Sequence, residues 1–347
     1  MTMAHIFRRG ICSRVQRRAL ALGVALAMGF TLAAPSQADS AETPPEPSPP
    51  KPHAEHPGYS SLPGNYLAGR FAYRQRDVSS ASQYYQLVLV EDSENRALVQ
   101  RTLVLTVQDA RIADSVRLAT QLVGLDPKSK IGHLVLIVNA VAEGRLDQAF
   151  EQISNIERNG IYELMAPIME GWVQLGRGDY DAAMAAIEPL STKQAFEMYH
   201  AYHGALMASM SERSDVAVEN FDVALTAVPG GTLRVVMTYG TYLRSLGRAA
   251  EATALFENYR KHNPDSPWLD SIQETFSLKD APEEIVATAQ EGLAEALFGA
   301  ASALPNENAG DTGLIYANLA LHLRPKFPVA QLLVGEVLDV LERYADA

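Results

Sequence analysis

The apolar residues of this chain recur with the spacing of amphipathic helices, and the helical stretches come in pairs. The segments YQLVLVEDSEN, ATQLVGLDPKS and FDVALTAVPGG each have the pattern of a helix that runs into a stop. Upstream of each lies a short polar or glycine-containing turn, as in QDARIADS and EGRLDQA. The pattern therefore predicts successive units of helix, turn, helix and stop.

These units repeat about every 34 residues, as two series of positions show. A small residue follows each turn, and a small or apolar residue recurs in the preceding helix. Small residues are required where two helix backbones approach closely. The first series is Ala81, Ser115, Ala149, Ala183, Ala217 and Ala252, and the second is Gly69, Leu103, Ile137, Gly171, Ala205 and Gly240.

The repeat resembles the tetratricopeptide repeat (TPR). The resemblance rests on the first series, on the aromatics Tyr85, Phe221 and Phe256 four positions later, and on the endings Asp126-Pro127 and Asn263-Pro264. It implies an all-α, right-handed superhelical solenoid of TPR-like helix-turn-helix repeats, stabilised by contacts between neighbouring units. Together with the N-terminal segments, EALFGAASAL and YANLALHLRPKF resemble a family of exported, periplasmic bacterial TPR proteins of unsettled activity.

The chain divides into five segments. Residues 1–38 combine a basic region, an apolar run and Ser36-Gln37-Ala38, which predicts a signal peptide cleaved between Ala38 and Asp39. The alternative is a retained anchor, and general secretion is favoured over twin-arginine export. Residues 39–62 are a proline-rich, disordered spacer. Residues 63–264 hold six repeats, 265–293 a degenerate segment, and 294–347 a further repeat and an incomplete last one.

The end of the sequence predicts that the array continues. Tyr344-Ala345-Asp346-Ala347 copies Tyr180-Asp181-Ala182-Ala183, the start of a second helix. We therefore expect further chain beyond Ala347, or a partner, to cover the apolar stripe of the last helix. That stripe comprises Val329, Leu332, Leu333, Val337, Val340 and Leu341.

Charge and cysteine content exclude several function classes. The formal net charge is −12, and because five of the 29 basic residues lie in 1–38, the remainder carries 24 basic against 41 acidic residues, or −17. A surface with this negative charge disfavours binding to nucleic acids and to anionic membranes. The only cysteine, Cys12, lies in the predicted signal peptide, so the mature chain has no disulfide, thiolate nucleophile or cysteine metal ligand.

No motif predicts catalysis, and we expect no enzyme activity, cofactor or metal. The sequence has no nucleophile elbow, phosphate loop or dinucleotide fingerprint. His200 and His203 share a helical face but lack a third ligand, and His53 and His56 lie in the spacer. Arg177-Gly178-Asp179 spells an adhesion motif, but it aligns with the turn of EGRLDQA one period earlier. We interpret it as a turn.

The resemblance implies that the first helix of each unit lines a concave groove, which accepts an extended segment or a helix of a partner protein. Its centre is apolar and aromatic and its ends carry arginine, a composition typical of interface anchors. The alternative is that several of these residues pack against neighbouring helices. The predicted groove residues are Tyr66, Arg70, Tyr73, Arg74, Leu134, Val138, Met165, Ile168, Trp172, Tyr199, Tyr202, Leu206, Arg234, Met237, Thr241 and Arg244.

Two functional hypotheses follow. The first is a non-catalytic periplasmic scaffold or adaptor that binds a segment or helix of other envelope proteins in its groove. The second is the repeat half of a larger enzyme or protease regulator, whose catalytic part lies beyond Ala347 or on a partner chain.

Overall fold

The computed structural model describes residues 61–228, 231–266, 286–304, 306–344 and 346. Within these ranges it contains fifteen α-helices and no strand, in agreement with the predicted all-α solenoid of TPR-like repeats. The predicted signal peptide with its cleavage site Ala38–Asp39 lies outside the described residues, as does the spacer up to residue 60. Most of the segment 265–293 lies outside them too.

The first twelve helices form six consecutive antiparallel pairs. Each pair packs against the next, and the helices keep the register of the sequence repeat. The pairs are α1 (Leu62–Arg74) with α2 (Val78–Glu91), α3 (Arg96–Gln108) with α4 (Ile112–Leu125), α5 (Lys130–Ala142) with α6 (Leu146–Ser154), α7 (Tyr162–Gly176) with α8 (Tyr180–Ile187), α9 (Glu197–Met210) with α10 (Ser214–Thr226), and α11 (Leu233–Ser245) with α12 (Ala249–His262).

The first three units begin with the same capping device. The side chains of Ser61, Asn95 and Ser129 accept hydrogen bonds from backbone N–H groups in the first turns of α1, α3 and α5. Such a bond satisfies a donor that has no partner within the helix. These caps recur at the repeat interval, so they set the point at which the first helix of each of these three units starts.

The turn between the two helices of each unit contains one residue with positive φ. Gly178 has φ of 86°, a conformation that suits glycine, and Asp179 then caps α8 by accepting a hydrogen bond from Ala182 N at 2.9 Å. Arg177 pairs with Asp147 of the preceding unit at 3.0 Å. Each residue of the Arg-Gly-Asp tripeptide thus has a local structural role, and the predicted turn is confirmed.

The small residues of the first series lie at the contact between paired helices. Ala81, Ser115, Ala149, Ala183, Ala217 and Ala252 are all 0% exposed. The glycines of the second series are buried as well: a Cβ at Gly69 would lie 3.0 Å from the ring of Tyr85, and one at Gly171 would lie 3.0 Å from Ile187. The two helices approach so closely that little more than a methyl group fits between them.

Three further helices fold back over the six-unit array. They are α13 (Ala289–Ala303), α14 (Asn306–Leu323) and α15 (Pro328–Val340). Helix α13 packs against α7 and α9, and α14 packs against α3 and α5. The first helices of units two to five are therefore covered by the C-terminal part of the chain. Helix α13 also begins five residues before the predicted boundary at 294.

The apolar stripe on α15 is partly covered by the chain itself: one of its residues is buried and four are half-buried. Val337 is buried and packs near Leu314, because α15 lies against α14. Leu332 is the most exposed residue of the stripe, at 51%. The turn after α15 reaches the first unit, where the Arg76 guanidinium donates a hydrogen bond to the carbonyl oxygen of Leu341.

Candidate protein-binding groove

The centre of the predicted groove is filled by the chain's own helix. Its predicted residues are buried in this structure, since α13 and α14 lie across the first helices that carry them. A surface expected to await a partner is thus already occupied by a helix. The buried residues of this set are Leu134, Val138, Met165, Ile168, Trp172, Tyr202 and Leu206.

The two ends of the predicted groove differ from its centre. In the first unit Arg70, Tyr73 and Arg74 are exposed, and Tyr66 is half-buried against Tyr85 with ring centroids 5.9 Å apart. At the other end Arg234, Met237, Thr241 and Arg244 are partly buried, as is Tyr199 in the fifth unit. The groove remains accessible mainly at its N-terminal end.

Trp172 forms the floor of the occupied site. Its Nε1–H donates a hydrogen bond to His203 Nδ1 at 3.1 Å. Burial lowers the pKa of His203 to about 3, so the imidazole is neutral at physiological pH and can accept this bond. The indole ring faces Gly292 of α13, and a Cβ built there would lie 2.2 Å from Trp172 Cε3. Only glycine fits at this contact.

A buried carboxylate fixes α13 one turn further along. The side chain of Glu295 is 0% exposed and is held by the guanidinium of Arg234, whose Nε lies 3.1 Å from Oε2. The hydroxyl of Tyr202 also donates to Oε2 at 3.3 Å, and Nη1 of Arg324, which directly follows α14, lies 3.6 Å from Oε1. Burial, and then the charge of Glu295, raise the pKa of Tyr202, which stays a protonated donor.

Helix α14 is held by hydrogen bonds to the end of α3. Asn318 Nδ2 donates to the carbonyl oxygens of Val107 and Gln108 at 3.0 and 3.2 Å, and Gln108 Nε2 donates to the Asp311 carbonyl oxygen at 3.2 Å. The last carbonyls of a helix have no partner within it. Asn318 supplies one for α3, which fixes the position of α14 along the array.

Metal-ligand clusters and membrane-spanning helices are both missing from the ranges that the structure describes. No group of three or more His, Cys, Asp or Glu side chains in those ranges is placed to hold a metal ion. His200 lies 3.7 Å from Glu188, and burial lowers the pKa of His200. No helix among the described residues is both long and apolar enough to cross a membrane. His53 and His56 lie outside the described residues.

Sequence reasoning missed the residues that occupy the groove. Gly292, Glu295 and Asn318 were not predicted as contacts, because the resemblance to repeat arrays directs attention to one helix of each unit. One signal was present: Glu295 is an acidic residue in the otherwise apolar run GLAEALFG. A charge in such a run indicates a buried partner of opposite charge.

No protein-family model matches the chain, and no curated protein matches it. Among solved structures the chain is similar to the crystal structure of PilW, which is described as a widely conserved type IV pilus biogenesis factor. That match has a TM-score of 0.46 at 14% sequence identity and covers 61% of this chain and 98% of PilW.

Proposed function

We propose that this chain is a non-catalytic scaffold of the bacterial envelope, which binds a helix or extended segment of another envelope protein in its concave groove. The supporting observation is that the groove holds a helix here: Trp172, Tyr202 and Arg234 enclose α13 by packing, hydrogen bonding and charge. Helix-in-groove binding is a recurrent mode of recognition.

The composition of the groove supports a protein partner rather than a nucleic acid. Its centre is lined by aromatic and aliphatic side chains, and its charged contacts are a few arginines at defined positions. The chain as a whole is acidic, which opposes the approach of phosphate. An envelope location is proposed from the order of basic, apolar and small residues in 1–38.

Photo-crosslinking in cells tests this function on the full chain. A photoreactive amino acid replaces Tyr199, which lines the groove close to Gly299 of α13. We expect two products: an internal crosslink to α13, and an adduct with a second protein in the periplasmic fraction. The crosslinked peptide of that protein should be a helical or extended segment.

The control places the same photoreactive residue at Val90, which is 81% exposed on α2. We expect no adduct with the same partner from this position. Internal crosslinks alone at position 199, or equal yields of the same adduct from both positions, would contradict a groove-binding scaffold.

A further inference from the structure

We propose that α13 is a built-in stand-in for the partner's helix, and that this partner helix presents a small residue to Trp172 and a carboxylate one turn later to Arg234. The inference rests on the proposed function and specifies the chemistry of its ligand. It also implies that the partner and α13 compete for one site.

The shape of the site selects a small residue. At position 292 even a methyl group would collide with the Trp172 ring. One turn earlier, Ala289 lies against Gly176, where a Cβ added to the glycine would be 3.0 Å from the Cβ of Ala289. The groove floor therefore approaches the backbone of the bound helix directly, and a larger side chain at either contact holds the helix away.

The charge of the site selects a carboxylate. Arg234 and Tyr202 come from two different units of the array, α11 and α9, and both donate to Glu295. Their separation along the chain makes the pair a property of the assembled groove. Because residues i and i+3 lie on one face of a helix, a ligand needs its small residue and its acid at the spacing of Gly292 and Glu295.

The six units also make buried contacts that do not involve α13. The fully buried small residues of the repeat all lie within α2 to α12, at contacts between and within the six units. Removal of α13 would expose the groove face, including Met165, Ile168 and Leu206, and leave those contacts in place. Bare apolar surface of that kind is unfavourable in water. The groove consequently exchanges one helix for another rather than standing empty.

Competition in the full chain tests the proposal. The test uses a Trp268→Phe background, where Trp172 is the remaining tryptophan. In this background the Gly292→Leu substitution should displace α13 from its contact with Trp172. We expect the Trp172 emission to shift to longer wavelength. A fluorescent peptide of residues 287–304 should then bind at least about tenfold more tightly to this variant than to the parent chain, and restore the emission.

Matched peptides check the two recognition elements. The Gly292→Leu peptide should not bind, and the Glu295→Gln peptide should bind at least about tenfold more weakly than the wild-type peptide. The control is Gly124→Ala in the chain, where the added methyl meets no atom within 4 Å. This variant should have the same Trp172 emission and the same peptide affinity as the parent chain. A folded Gly292→Leu chain that binds no peptide, or binds all three equally, overturns the proposal.

Three further outcomes also decide the question. A Gly292→Leu chain that does not fold assigns α13 to the core and overturns the proposal. Hydrogen exchange of the parent chain provides the second outcome. A displaceable helix opens before the array unfolds, so α13 amides that are protected as strongly as those of α7 would also overturn the proposal. A parent chain that is dimeric through exchange of α13 assigns the site to a second copy and likewise overturns it.

The test separates this inference from the proposed function. Peptide exchange without any partner adduct from position 199 would show that the site accepts a helix with this small residue and carboxylate, and would contradict the scaffold and the partner helix that α13 is proposed to replace. Partner adducts whose yield is unchanged by Gly292→Leu, with no peptide exchange, would support a scaffold and contradict the stand-in.

Discussion

Glu295 and Arg234 form an ion pair between α13 and α11, 61 positions apart in the chain, and the Glu295 side chain is fully buried in it. Replacement of Glu295 leaves the partly buried guanidinium of Arg234 and the hydroxyl of Tyr202 without their acceptor. We expect Glu295→Ala to lower the free energy of unfolding by about 1–3 kcal/mol, as measured by urea denaturation.

An exposed pair of the same type provides the control. Glu257 and Arg260 lie 2.6 Å apart on the surface of α12, with 38% and 48% of their side chains exposed. Glu257→Ala should change the free energy of unfolding by no more than about 1 kcal/mol. Equal effects of the two substitutions would show that burial of Glu295 has no energetic consequence.

The close contact within each unit predicts that added volume is not tolerated. Ala149→Leu or Ala183→Leu should destabilise the chain by about 1–3 kcal/mol, because three more carbon atoms cannot fit between the paired helices. Thermal unfolding measures the effect. Ala185→Leu, at an exposed position of the same helix α8, should leave the midpoint nearly unchanged, and a similar loss there would disprove the assigned register.

The turn at Gly178 predicts that a Gly→Ala substitution has opposite effects on stability at two positions. Gly178→Ala should destabilise the chain by about 1 kcal/mol, because its φ of 86° strains any residue with a Cβ. Gly124→Ala in α4 should stabilise it by about 0.5–1 kcal/mol, since the position is helical and open. Chemical denaturation of the two variants measures both changes in the free energy of unfolding. Changes of the same sign would contradict the turn geometry.

The neutral state of His203 makes stability depend on pH. Its pKa is about 3 in the folded chain and near 6.5 when unfolded, so the unfolded chain binds the additional proton between these values. Stability from this group is thus complete above pH 6.5 and falls as the pH drops toward 3, by at most about 1.4 kcal/mol per pH unit. The lowered pKa values of His200 and His322 add to the same trend.

A His203→Gln variant isolates this contribution. The amide can accept the Trp172 hydrogen bond and does not titrate, so we expect a shallower fall in urea midpoint between pH 7 and pH 4 than in the parent chain. Parallel curves for the two chains would show that His203 does not govern the pH dependence.

Export is tested at the N-terminus. The order of segments in 1–38 predicts cleavage after Ala38, so Edman sequencing of the periplasmic form should begin at Asp39. Replacing Ala38 with a large residue such as Trp should leave the precursor unprocessed. A mature chain that begins at Met1 would disprove the predicted signal peptide.

The repeat fold was predictable because it depends on local periodicity. The small residues and the turns recur along the sequence, and neighbouring units pack in the order in which they occur. The position of α13 was not predictable from the same pattern, since it depends on contacts between Gly292 and Trp172 and between Asn318 and α3. Such contacts join distant segments, and no periodicity encodes them.

The N-caps on the first helices of the units were only partly predictable from the sequence. Ser61, Asn95 and Ser129 have side chains typical of helix N-caps and share the repeat spacing, so they were available to sequence reasoning. The fourth and fifth units begin without such a cap, at Ile161 and Phe196. The sixth unit has such a cap again, at Thr232. A series with this gap is weaker evidence than the six fully buried small residues.

The return of α14 to α3 has a consequence for how the chain acquires its structure. Solenoids fold outward from any unit, because each unit contacts only its neighbours. Here Asn318 bonds to Val107 across 211 positions, and the Arg76 guanidinium reaches Leu341 across 265. Contacts of such long range slow folding, since the entropy of closing the loop is lost before the contact forms. A ribosome releases the six-unit array before α13 and α14, so the apolar inner face of the array emerges uncovered and is covered only once these two helices follow.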